Sequence, residues 1–82
     1  ARREAAAPLK KDAEAAEARL DELSAILPKI DAALAEPGLY GKNPARAAKL
    51  QKERTALLEA IARAESEWLE RLAAYEEVRR PR

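Results

Sequence analysis

The chain has 82 residues, 16 Lys and Arg against 15 Asp and Glu, a net charge of +1, and no Cys, His, Met or Phe. That length holds one small domain or a piece of something larger, and the near-balanced charge argues neither for nor against nucleic acid. Without Cys and His there are no disulfides, thiolate metal sites or Cys nucleophiles, and both the usual general base and the commonest metal ligand are missing.

Ala, Glu, Leu, Lys and Arg dominate, which is the composition of long helices and coiled coils. In chain order, the first element is a helix predicted over residues 8–35. Leu9, Ala13, Ala16, Leu20, Leu23, Leu27, Ile30 and Leu34 follow one another in alternating steps of four and three, an unbroken a/d heptad pattern. Pro28 falls at an outward position, where it removes a backbone donor and bends the helix without changing the phase.

A tip loop is predicted over residues 36–43. Pro37 and Gly38 end the first helix, and Asn43 followed by Pro44 reads as an N-cap with proline in the first turn. Between them lie Leu39 and Tyr40. Tyr40 has two readings, stacking on a base or packing onto the helices, and packing is the one favoured. Leu39 and Tyr40 are together expected to fold back over the end of the seam near Leu34 and Leu50.

The second helix is predicted over residues 44–79. Ala47, Leu50, Leu57, Ile61, Ala64, Trp68, Leu72, Tyr75 and Val78 share a face. Arg54 and Arg71 stand where seam residues belong, and Leu72 can serve in place of Arg71. Glu59–Arg63, Glu67–Arg71 and Glu76–Arg80 are i,i+4 pairs that support helix. Two such helices joined by a short loop form an all-α, antiparallel two-helix coiled-coil hairpin. A register in which facing positions sum to about 84 sets Leu23 against Ile61 and Leu34 against Leu50. It also sets Trp68 over Ala16, close to Ala13, large side chain against small. Trp68 is therefore expected to be mostly buried as a core residue in preference to a binding anchor. Leu58 and Leu69 are left over, which suggests a further partner, either a second copy or the rest of a parent protein.

Carboxylates such as Glu65 and Glu67 need a pocket to act in acid–base chemistry, and a hairpin offers none. Gly38 and Gly41 lack the spacing and the Lys-Ser/Thr ending of a phosphate loop. Basic residues do cluster: Lys42, Arg46, Lys49, Lys52 and Arg54 stand against the single acid Glu53. The open end is basic as well, with Arg2, Arg3, Lys10 and Lys11 near Arg79, Arg80 and Arg82. One reading is solubility and helix-end placement; the other is contact with nucleic-acid phosphates.

Three segments carry a family resemblance: APLKKDAEAAEARLDEL, LAEPGLYGKNPARAAKLQKERTALLEAI and AESEWLERLAAYEE. They resemble the C-terminal extension of ABC-F ATPases, soluble proteins with two fused ATP-binding cassettes. The tip motif Leu-x-x-Pro-x-Leu-Tyr is matched by Leu34, Pro37, Leu39 and Tyr40. The motif Glu-x-x-Trp-Leu-Glu is matched by Glu65, Trp68, Leu69 and Glu70. The Ala7-Pro8-Leu9 start is similar to that of the Uup/YheS-like branch. The resemblance implies that ATP and Mg belong to cassettes of a parent protein and that this chain holds no cofactor and no metal. It also implies DNA or ribosomal RNA as a partner, alongside the parent's ATPase domains. A purely structural hairpin, dimerising or docking on those domains, is the alternative.

Lacking Met and starting at Ala1, the sequence reads as a C-terminal fragment of a larger, cytoplasmic ATPase that is not itself an enzyme. No apolar run approaches membrane-spanning length, and no secretory signal is visible.

Overall fold

A computed structural model describes residues 2–80, with side chains from Glu4 onward. Three helices follow one another: α1 (Arg2–Leu34), α2 (Leu39–Lys42) and α3 (Pro44–Arg79). No strand occurs among the described residues. The protein is an all-α hairpin in which α1 and α3 run antiparallel along a rod of 62 × 15 × 14 Å.

α1 begins six residues before the start expected at Pro8. The segment Arg2–Ala7 consists of Ala, Arg and Glu, all strong helix formers. Proline at position 8 removes a single donor, and the helix runs through it. Pro28 likewise lies inside α1, with its ring on the exposed side. Leu23, Leu27, Ile30 and Leu34 stay turned toward α3 on both sides of it. The seam they share with α3 offsets the local cost of the missing hydrogen bond.

Two ion pairs cross the hairpin and fix its register. Arg54 Nε donates to Asp31 Oδ1 at 2.7 Å, and Arg71 Nη1 lies 3.9 Å from Asp12 Oδ2. The numbers of these pairs add to 85 and 83, on either side of the expected 84. A slip of one heptad would move that figure by seven. Both arginines that interrupt the apolar face of α3 therefore reach carboxylates on α1, and their stems cover the seam.

Among the described residues, burial is confined to Ala13, Leu39, Ala47, Leu50, Leu57 and Ala64. The other seam positions of both helices are partly exposed, because two helices leave each other's flanks open. Trp68 is one of these. It lies at the level of Ala16 and is mostly buried, as its phase suggested, without being sealed off completely.

The tip is more structured than a loop. Gly38 adopts the left-handed conformation, φ 77° and ψ 6°, which reverses the chain at a position where a Cβ would be strained. α2 then makes one helical turn. The N–H of Lys42 donates to Gly38 O and that of Asn43 to Leu39 O, each at 2.8 Å. Asn43 caps α3 by accepting from the Arg46 N–H at 3.1 Å, with Pro44 at the first position. Leu39 is 3% exposed and packs with Ala47 and Leu50, and Ile30, Ala33 and Leu34 close around them.

Tyr40 does not join it: the ring is 57% exposed. Adjacent residues on a helical turn point about 100° apart, so Leu39 and Tyr40 cannot both enter the seam.

Candidate nucleic-acid interface

Lys42 is the last residue of α2, and Arg46, Lys49 and Lys52 lie on the first turns of α3. All four are exposed. At 3.6 residues per turn, steps of three rotate by about 60°. The α3 cations therefore form a slanting ridge from the flank of α3 to its back, away from α1. None of the four has an ion pair within 4 Å among the described residues, whereas Arg54, Arg71, Arg79 and Arg80 each do. Glu53 and Glu59 limit the ridge on the side toward the open end.

Arg54, counted with this cluster from sequence, stands apart from it. Its guanidinium is held by Asp31, whose hydrogen bond and then charge raise the arginine above its ordinary pKa. The partner lies 23 residues away on another helix, and nothing local in the sequence marks it.

Sequence reasoning also missed Gln51. Its Nε2 donates to the Tyr40 hydroxyl oxygen at 2.8 Å and fixes the ring at the edge of the tip. Gln51 and Lys52 share a shallow, open hollow on α3 with Thr55, Ala56 and Glu59, so the ridge starts beside the residue that holds Tyr40.

The open end is arranged differently. Arg79 lies over the Tyr75 ring, 5.4 Å from its centroid, and 3.6 Å from Glu76; Arg80 is 3.6 Å from Glu77. Arg79 and Arg80 thus have local acidic company. Arg82 and the side chains of Arg2 and Arg3 lie outside the described residues.

Trp68 contributes to the seam and is mostly buried there. Glu65 and Glu67 are exposed, and Glu67 accepts from Arg71 at 2.8 Å. Among the described residues no cluster of His, Cys, Asp or Glu is placed to hold a metal. The Gly38–Gly41 turn does not fit a nucleotide phosphate. The N–H groups of Leu39, Lys42 and Asn43 are already spent on Glu36, Gly38 and Leu39 carbonyls, and the Lys42 stem lies along Gly38. Among the described residues no helix is long and apolar enough to cross a membrane.

Comparison with curated proteins found no match, and comparison with solved structures found none either. Residues 7–71 match the family described as the ABC transporter C-terminal domain, a span that runs through the seam, the tip and both cross-hairpin ion pairs. The chain belongs to this family of accessory, non-catalytic helical domains of ABC proteins.

Proposed function

We propose that this accessory domain is a nucleic-acid-contacting arm of a cytoplasmic ABC-F-type ATPase, engaging DNA or ribosomal RNA through its tip. The observation that carries this reading is the gathering of four exposed, unpaired cations at the tip. Lys42, Arg46, Lys49 and Lys52 are exposed and, among the described residues, without an acidic partner within 4 Å, while Arg54, Arg71, Arg79 and Arg80 have carboxylates beside them. A phosphate that meets an unpaired cation sheds its condensed counterion at no further cost, whereas a cation held by a carboxylate must first give up that partner. A slanting ridge with no groove around it gives affinity without sequence specificity. The ABC-F assignment rests on the two short motifs around Tyr40 and Trp68, and the Uup/YheS-like branch on the Ala7-Pro8-Leu9 start.

A second reading is supported by Leu58 and Leu69, which are 40% and 50% exposed. They lie eleven residues apart, close to three turns, and so occupy one side of α3. Such a face suits a purely structural hairpin that dimerises or docks on the parent's ATPase domains.

One experiment separates the two. Binding of the chain to duplex DNA and to structured RNA is measured across a salt series. Replacing Arg46, Lys49 and Lys52 together by Gln should weaken binding strongly and flatten the log–log salt slope by about one unit for each phosphate that is no longer engaged. Circular dichroism should be unchanged. Undiminished binding by that variant overturns the tip reading. An absence of wild-type binding at low salt, with a dimer seen by sedimentation, replaces it with the structural one.

A further inference from the structure

We infer that the tip takes an unpaired nucleobase on the face of Tyr40, so that it prefers single-stranded DNA or RNA to duplex. The inference rests on the tip being the nucleic-acid-contacting surface. Tyr40 combines two properties that seldom coincide: its ring is largely in solvent and yet held in place. Leu39 before it is anchored in the seam, Gly38 sets the direction of α2, and Gln51 Nε2 holds the hydroxyl oxygen at 2.8 Å. An exposed ring that is already ordered loses little rotamer freedom when something stacks on it.

The other aromatics are placed otherwise. Trp68 and Tyr75 lie mostly buried in the seam, and the Tyr75 ring carries Arg79. Tyr40 alone of the three combines an open ring with unpaired cations close by, Lys42 two residues on and Lys52 next to Gln51.

An unpaired nucleotide offers a π-face and a phosphate within one residue of chain, and this arrangement matches both. A duplex hides its base faces within the stack and presents only phosphates, so it gains from the cations and nothing from the ring. Glu53 and Glu59 bound the positive ridge, which restricts the footprint to a few nucleotides.

The test uses labelled oligo(dT), oligo(U), a DNA duplex and an abasic strand of equal length, with fluorescence anisotropy at low salt. The wild-type chain should bind the base-bearing strands more tightly than the abasic one. Tyr40→Ala should lose about ten-fold on the strands, down to the abasic level, and keep its duplex affinity. Tyr40→Phe should retain most of the binding. Tyr40→Leu, which keeps apolar bulk without a π-face, should behave as the Ala variant does even if Ala loosens the tip. The strand on which the Tyr40-dependent increment appears, dT or U, identifies DNA or RNA as its source. Unchanged strand binding by Tyr40→Leu, or equal losses on strand and duplex, overturns the inference. If the Arg46, Lys49 and Lys52 variant loses binding while Tyr40→Leu does not, base stacking falls and phosphate contact stands. If the wild type binds no strand at low salt, both fall.

Discussion

The tip and the open end of the hairpin are built from the same two helices, yet only the tip is closed. At the tip, α2 inserts Leu39 across the seam, and three of the six buried residues, Leu39, Ala47 and Leu50, sit together there. Toward the open end, Leu9, Leu72, Tyr75 and Val78 are all partly exposed, and Arg79 lies over the Tyr75 ring. The difference teaches that a pair of helices encloses its seam only at scattered positions such as Ala13, Leu57 and Ala64, and that a single turn of a third gathers buried residues into a cluster. The proposed contact surface is thereby carried on the better-packed end.

The largest expected effect is from removing that closure. Leu39→Ala should destabilise the hairpin by about 3 kcal/mol, as for a well-enclosed leucine, and lower the thermal midpoint by roughly 10–20 °C. Amide exchange at Leu39–Asn43 should accelerate first. If midpoint and exchange both stay as in wild type, the two ends are equivalent and the comparison fails. Trp68→Ala, in the more open half, should cost about 2 kcal/mol, below the range for fully enclosed aromatics, with circular dichroism melts as the measure. A loss larger than that of Leu39→Ala would invert the order of the two regions.

The smallest effect concerns Arg54. Arg54→Gln should lower the thermal midpoint slightly, and the gap from wild type should narrow as salt is added, because the Asp31 pair is partly open to solvent. The guanidinium pKa is raised, so its contribution is complete at every pH below the ordinary arginine value and is lost only as pH rises past the still higher folded value. Arg54 itself should therefore impart no slope to stability between pH 6 and pH 10. A melt series showing a gap that changes across this window would count against the assignment.

Much of the hairpin was legible in the sequence because its information is periodic. Every heptad position from Leu9 to Leu34 is less exposed than its neighbours on the outer face, and the Asn43–Pro44 start forms with the expected cap. What escaped reading was what depends on single contacts. Pro8 looked like a first-turn residue, but the Ala-rich segment before it carries the helix further back. Leu39–Lys42 looked like loop because two glycines frame it, yet Leu39 has seam to cover and one turn of helix places it there. Arg54 reads as a free cation until Asp31 is found opposite. Tyr40 turns outward for a geometric reason, since Leu39 beside it already occupies the inward direction, and Gln51 is visible as its partner only once α2 and α3 are set side by side.

The left-handed turn at Gly38 also bears on the order of events in time. It brings together residues that are near in sequence: the chain enclosed between Leu34 and Leu50 is 15 residues, against 65 between Leu9 and Tyr75. Closing the longer loop first would cost about 1.3 kcal/mol more in chain entropy than closing the shorter. The cheapest first encounter between the helices is therefore at the turn, after which each further layer of the seam forms next to one already made. Assembly runs like a fastener drawn from its closed end, with the Leu39 cluster as its starting stop.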